Sequence, residues 1–286
     1  MQLEKSILVI RSNVDVMKKE IRFLVFWVGT KCTLKCKNCC NLIPYVEPVS
    51  YSTRKILDNL SYITKDIVVE TLQIQGGEPF THKDIDTIIE ICALNSNIKR
   101  IEIASNGTIL PNKRTIDVIK KYNDKIVLRF SDYICARKKQ QIIEERLKND
   151  YNVPVQKYEF MYDTGEWFDL GDVDNKKETD IQKKKKTYDD CPNKSCWTLA
   201  DDYLAGCDRM ISYLQLKNET IKGNNILNIS ELRENNYPFI EAYQTFEERY
   251  RTFVSDLCGY CRVSDKLIPA GIQIVSEKRK EENFYE

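Results

Sequence analysis

Cys32, Cys36 and Cys39 place three thiols within eight residues, directly after the apolar run 24–28. Thiolates are soft ligands that select zinc, copper(I) or iron-sulfur clusters, and one short loop can bring three of them to a single centre. Structural zinc sites are normally closed by four protein ligands, whereas a cluster iron without a protein ligand stays open for chemistry. Three sulfurs therefore point to a centre with one open position. A second cysteine group lies far downstream, with Cys191, Cys196 and Cys207 followed by the pair Cys258-x2-Cys261.

Eleven cysteines in a 286-residue chain read as metal ligation rather than disulfides, because a cytosolic Cys-x2-Cys is more often metal-binding or redox-active. His82 is the only histidine, so a histidine triad or a His-x-x-x-His zinc helix is not available, and His82 itself reads as a loop or helix-entry residue. Lys plus Arg number 44 against 43 Asp plus Glu, a formal charge of +1, which leaves no field to steer the protein to nucleic acid or an anionic membrane. No apolar stretch approaches the roughly 20 residues needed to span a bilayer and no cleavage pattern opens the chain, so a cytoplasmic protein is expected.

The elements that must position the cysteines follow from periodicity. Residues 22–28 read as a strand that hands over to the cysteine loop. Ser52 or Thr53 then caps a helix with Ile56, Leu57, Leu60 and Ile63 on one face. Strands follow near 68–75, 100–104, 125–130 and 155–160, with helices near 84–94, around Ile116 and Ile119, and around Ile142, Ile143 and Leu147 between them. Alternation about every 27 to 30 residues is the signature of βαβ units around a parallel sheet. Ligands of such sheets bind at the carboxyl ends of the strands, and those ends carry the cysteine loop, Gly76-Gly77-Glu78-Pro79, Ser105-Asn106-Gly107 and Ser131-Asp132. Gly76 and Gly77 would let the backbone approach a ligand or form a plain tight turn.

Cys32-x3-Cys36-x2-Cys39 after the first strand resembles the signature of the radical S-adenosylmethionine (radical SAM) enzymes. Gly76-Gly77-Glu78-Pro79 is similar to that family's Gly-Gly-Glu-Pro motif, and Ser105-Asn106-Gly107-Thr108 to its Ser/Thr-Asn-Gly turn. The resemblance spans about residues 20–160 and implies an α/β fold, a partial (β/α)6-type barrel. It also implies a 4Fe-4S cluster on Cys32, Cys36 and Cys39 whose open iron is chelated by SAM. Gly77 and Glu78 would position the methionyl amino group through the backbone, with Gly76 in the same cofactor-binding turn, and Ser105, Asn106 and Ser131 would face the ribose or methionyl part. Asn38 stands where the family commonly has an aromatic residue. Cys40, Cys92 and Cys135 read as buried small residues.

The later cysteines resemble the auxiliary-cluster extension called SPASM or, when shortened, twitch. Trp197–Ala200 and Tyr203–Ala205 read as a hairpin holding Cys196 and Cys207 at one end. The helix 239–257, with Ile240, Tyr243, Phe246, Tyr250, Phe253 and Leu257 on its core face, delivers Cys258 and Cys261. The resemblance implies a second, auxiliary 4Fe-4S cluster on Cys196, Cys207, Cys258 and Cys261, with Cys191 the rival for the first position and a zinc on the same four thiolates the alternative. The expected organisation is a core over 1–162, a loop and linker over 163–190 and a cluster extension over 191–286. Within the linker, Trp167 and its acidic neighbours could cover a substrate, the lysine run 183–186 is expected in solvent, and the tail from 277 is expected to fray.

The implied function is hydrogen abstraction from a small-molecule substrate, a sugar, nucleotide-sugar or similar metabolite, as an oxidation with the auxiliary cluster accepting an electron. The short extension favours a compact substrate, and the segment before the first strand is expected to leave no room for the leader-binding domain that peptide-modifying relatives usually carry. An external electron donor such as flavodoxin or ferredoxin is the implied partner. A redox-neutral epimerase, a peptide maturase and a non-enzymatic zinc or cluster protein are the alternatives.

Overall fold

Strands form where β-branched and aromatic residues run together. In the computed structural model, which describes residues 18–157, 165–194, 196–217 and 226–274, β1 (Lys19–Trp27), β2 (Ile67–Gln75), β3 (Ile98–Ser105), β4 (Ile126–Phe130) and β5 (Gln156–Lys157) pair in parallel and in chain order. The register sets Phe26 beside Ile74, Ile74 beside Ile103 and Ile103 beside Leu128. All four side chains are buried. The expected strand 155–160 is described only over Gln156–Lys157, and residues 158–160 lie outside the described residues.

Helices α1 (Thr53–Asp66), α2 (Ile85–Leu94), α3 (Lys113–Lys121) and α4 (Arg137–Tyr151) connect the strands. The Ser52 hydroxyl caps α1 by accepting from the Lys55 amide, and the Asn112 side chain caps α3 in the same way from Thr115. Such caps satisfy amides that the helix itself leaves without partners. Ile56, Leu60 and Ile63 recur at helical spacing and are buried, each contributing about 1.5–3 kcal/mol relative to exposure.

The segment expected as loop and linker contains two elements. Strand β6 (Glu166–Asp169) and helix α5 (Ile181–Asp189), capped by Asp180, both lie within it. The lysine run sits in α5, where Lys185 and Lys186 pair with Asp189 and Asp190 one turn on, while Lys184 turns inward to Asp256 at 2.7 Å. Four identical residues carry no hydrophobic periodicity, which is why the sequence hid both the helix and its buried face. Residues 161–164 and the tail from 277 lie outside the described residues.

The hairpin of β7 (Trp197–Ala200) and β8 (Tyr203–Ala205) forms as expected, and it joins the main sheet. β7 runs parallel to β1 on the edge away from β2, so Leu24 faces Trp197 and Trp27 faces Ala200. Helix α1 fixes the hairpin turn: Lys55 pairs with Asp201 at 2.7 Å and Asp202 at 3.0 Å, and Asn59 donates to the Asp201 carbonyl at 2.9 Å. Beyond the hairpin come α6 (Asp208–Lys217), β9 (Ile226–Asn228), α7 (Ile229–Glu234), α8 (Phe239–Thr252) and β10 (Ser264–Pro269). β9 extends the sheet antiparallel to β8, and β10 pairs antiparallel with β6.

On α8, Tyr243, Phe246 and Tyr250 surround Trp197 with ring centroids 5.1–5.6 Å apart, which is the core packing the spacing predicts. The helix nevertheless stops at Thr252. Phe253 is 62% exposed, and Leu257 is buried from a separate 3-10 turn, Asp256–Tyr260.

Candidate active site

The carboxyl ends of β1 to β4 converge on a cavity of about 340 Å³. Cys32, Cys36, Cys39, Gly76, Gly77, Ser105, Asn106 and Ser131 line it; Glu78 lies buried behind them.

Close packing of two loops explains the glycine pair. Gly77 N–H donates to the Gly29 carbonyl at 3.0 Å and Glu78 N–H to the Lys31 carbonyl at 2.7 Å. A Cβ on Gly76, whose φ is +144°, would fall 2.1 Å from Gly29 O, and one on Gly77 would fall 2.2 Å from Lys31 O. The glycines thus seat the second loop against the backbone of the cysteine loop.

Glu78 then locks the third loop in place. Its carboxylate accepts from Ser105 Oγ at 3.0 and 3.1 Å, from Asn106 N at 2.8 Å and from Phe80 N at 3.1 Å. Burial pushes its pKa up to about 7 against the pull of these donors. Asn106 passes the order on to the cysteine loop, donating to Thr33 Oγ1 at 3.0 Å and to Cys32 Sγ at 3.5 Å. From α4, Gln140 donates to the carbonyls of Asn106 and Ser131 at 2.9 and 2.6 Å. His82 is buried, with its ring against the Tyr51 carbonyl and the Asp84 amide, as a structural residue would be.

Three thiols on one wall are a donor set that suits an iron-sulfur cluster. Burial raises the pKa of all three, to about 12 for Cys36 and about 11 for Cys39, and repulsion from the Cys32 sulfur adds to the rise at both of these. Metal loading at this site must therefore expel protons. Among the described residues no three His, Cys, Asp or Glu side chains are gathered in a way that could hold a single metal ion.

Residues 28–131 match the Radical SAM superfamily model. This stretch is a radical SAM domain. Similarity extends to GTP 3′,8-cyclase of Thermodesulfovibrio yellowstonii, 31% identical over 103 residues, or 34% of this chain and 31% of that protein. The matched stretch thus spans about a third of that relative. Among solved structures, the chain is similar to BtrN in complex with AdoMet and 2-DOIA, with a TM-score of 0.53 and 14% identity over 88% of this chain and 100% of that one. It is also similar to anSMEcpe with bound AdoMet, with a TM-score of 0.51 and 12% identity over 87% of this chain and 90% of that one. These likenesses establish the fold, and the radical SAM family implies a 4Fe-4S cluster and SAM.

The second cysteine group divides. Cys191, Cys207, Cys258 and Cys261 line one small cavity of about 30 Å³, together with Tyr188, Arg209, Tyr213 and Tyr250. Cys196 lines the large radical SAM cavity instead. Asn193 and Arg209 line both cavities and so form a wall between them. Cys40, expected as a buried small residue, also lines the large cavity, where its sulfur accepts from Asn193 Nδ2 at 2.9 Å and stands 3.9 Å from Asp208 Oδ2. Cys135 is exposed rather than buried, whereas Cys92 is buried as expected.

Several cavity residues were not singled out by the sequence. Arg209, 3% exposed, donates to the Gly171 carbonyl at 2.6 Å and to Tyr213 Oη at 3.0 Å. Gln73 reaches Glu102 at 2.7 Å, and Glu102 pairs with Arg129 at 2.8 Å. The alternation of polar Gln73 and Gln75 with buried Leu72 and Ile74 was the available signal, since a wholly apolar strand is the norm in a parallel sheet.

Glu78→Gln is expected to weaken SAM binding about tenfold, because an amide cannot accept from all these donors and a buried unsatisfied group costs about 1–3 kcal/mol. Equilibrium binding of SAM to cluster-loaded protein of unchanged iron content checks it. The pH effect has a definite sign. Because the folded-state pKa lies above the ordinary 4.5, the folded chain holds the extra proton, and Glu78's contribution to stability is lost as pH rises through about 7. Denaturation of the cluster-free wild type and variant at pH 5 and 8 should show the wild type losing ground to the variant at the higher pH.

Proposed function

We propose that the chain is a radical SAM enzyme that abstracts hydrogen from a small polar metabolite and oxidises it, with an auxiliary 4Fe-4S cluster on Cys191, Cys207, Cys258 and Cys261. The observation that carries this reading is the pair of neighbouring cavities separated by Asn193 and Arg209, one bearing the three-cysteine loop and the other four thiols. When bound, the reduced cluster and SAM together supply a 5′-deoxyadenosyl radical. The protein binds, orients and shields.

Each residue's part follows from its contacts. Gly77 and Glu78 already donate their N–H groups to the cysteine loop, so carbonyls are the backbone groups of this loop that suit a protonated methionyl amine. Ser105, Asn106 and Ser131 hold the loops that would face the rest of SAM. Trp167, edge-on to Tyr133 with centroids 5.3 Å apart, supplies an aromatic wall. Asp132, Glu166, Asp169 and Asp208 line the cavity, and among the described lining residues Arg209 is the one cation.

That balance favours a neutral or amine-bearing polyol over a nucleoside triphosphate, whose phosphates need cationic partners. The substrate named for the GTP 3′,8-cyclase relative is for this reason not carried over. An external donor such as flavodoxin or ferredoxin would supply the electron. No helix among the described residues is long and apolar enough to cross a membrane.

Anaerobic reconstitution followed by reductant and SAM tests the reading. Formation of 5′-deoxyadenosine is expected, and none from reduced, cluster-loaded protein, even with candidate polyols, would overturn it. The thiols of Cys40 and Cys196 on the cavity wall favour one second reading, a redox-neutral epimerase in which a thiol returns a hydrogen atom. Solvent deuterium at an inverted carbon of the product would select it.

A further inference from the structure

The cysteine loop is not held by the radical SAM domain alone. A strap over residues 270–274, beyond β10, crosses it in a short antiparallel bridge between Cys36 and Gln273. Lys37 N–H donates to the Ile272 carbonyl and Ile274 N–H to the Lys35 carbonyl, both at 2.7 Å. Ala270 N–H anchors the strap to the Gly165 carbonyl at 2.7 Å. The chain bends at Gly271, whose φ is +78° and where a Cβ would meet the Tyr133 side chain at 2.9 Å.

This arrangement aims one side chain. Gln273 Oε1 accepts from Lys35 N–H at 2.7 Å, while Nε2 donates to the Gly271 carbonyl at 2.7 Å and lies 3.3 Å from Cys36 Sγ. The amide cannot be turned over, because its NH2 would then face the Lys35 donor and its oxygen the Gly271 carbonyl. A donor is thus fixed on the sulfur of a cysteine that the proposed function makes a cluster ligand.

We propose that Gln273 is a positioning residue that raises the reduction potential of the Cys32–Cys36–Cys39 cluster through an N–H···S bond to Cys36. The inference rests on the cluster assignment above. Hydrogen bonds to ligand sulfurs draw off electron density and favour the reduced state, one of the ways proteins set cluster potentials. The strap also shields the Cys36 side from solvent, leaving it 6% exposed. Because β10 pairs with β6, which carries Trp167, the same strand that shapes the cavity wall also places the donor.

The test is a redox titration of the reconstituted protein, followed by electron paramagnetic resonance on the signal that changes when SAM is added. Gln273→Leu removes the donor and is expected to shift the midpoint to more negative potential with iron content unchanged. Gln273→Glu replaces the donor by an acceptor and should shift it further in the same direction. Hydrogen exchange at the Lys37 and Ile274 amides reports whether the strap stays docked in each variant. Unmoved midpoints in docked, fully loaded variants would overturn the proposal. A wild type that takes up no iron on these cysteines would instead overturn the cluster assignment beneath it.

Discussion

Cys36→Ala is expected to abolish 5′-deoxyadenosine formation and to lower the iron content from about eight to about four per chain, one 4Fe-4S unit being lost. A spare thiol close by is Cys135, which shares the Gln273 amide with Cys36, so Cys36→Ala/Cys135→Ala is measured beside the single variant. Cys40, the nearest other cysteine in the chain, has its sulfur on Asn193 and beside Asp208, and Cys135 sits on an exposed turn, 3.6 Å from Gln273 Nε2. The loop itself should survive the substitution, because its shape depends on backbone contacts with Gly29, Lys31, Val49 and the Gly-Gly-Glu turn rather than on the sulfurs. Folding and chemistry therefore separate. Circular dichroism should be unchanged while SAM cleavage is lost. Cys135→Ala is the matched control and should keep both clusters. Loss of iron in Cys135→Ala, or full iron and SAM cleavage in Cys36→Ala/Cys135→Ala, would contradict the assignment of the open cluster.

How much of this was legible in the sequence depended on how local each signal was. The four strands β1 to β4 and their helices announced themselves through β-branched runs and helical spacing, and the motifs at their ends could be placed before any geometry was known. The glycine pair was legible as a need for close approach, although not that the approaching partner is the cysteine loop. Glu78 was expected to serve through its backbone, and its side chain proved to be the link between the second and third loops. That link depends on a long-range contact that no spacing encodes.

The C-terminal half was harder for the same reason. β6 and β10 have no periodicity of their own and exist as a pair separated by almost a hundred residues. α6 was hidden because its buried residues Asp208 to Tyr213 run continuously rather than on one face, as in a helix enclosed by other elements. Gln273 gave no signal, since a glutamine near a charged tail looks like solvent-exposed chain until the strap is folded back. Arg209 was the nearer miss. An arginine two residues after Cys207, ahead of the apolar Met210 and Ile211, was a visible candidate for a buried cation.

The choice between Cys191 and Cys196 carries the second large effect. The hairpin made Cys196 and Cys207 look like natural partners, because they flank its two strands at the same end. The chain takes them apart. Cys191 follows α5 with its amide bonded to the Tyr188 carbonyl, and the turn through Pro192 and Asn193 then carries Cys196 to the other side of the Asn193–Arg209 wall. Electrostatics agrees with this division: Cys207 and Cys258 each feel the charges of Cys191 and Cys261, whereas the one cysteine that acts on Cys196 is Cys191. Cys191→Ala is therefore expected to remove about four irons per chain, a whole cluster, and to stop net oxidation while SAM cleavage at the other centre continues. Cys196→Ala should keep all the iron and alter substrate turnover instead, since its sulfur faces the cavity where substrate would lie. Iron and sulfide analysis with product assays on the two variants decides the matter, and the reverse pattern would return the fourth ligand to Cys196. With Cys191 in the set, the ligands come from the end of α5, the start of α6 and the 3-10 turn after α8, three elements already linked by Lys184 to Asp256 and by Tyr213 to Tyr260. A cluster there would tie these elements together from within, so Cys191→Ala should also make proteolysis between α5 and β7 faster than in Cys196→Ala.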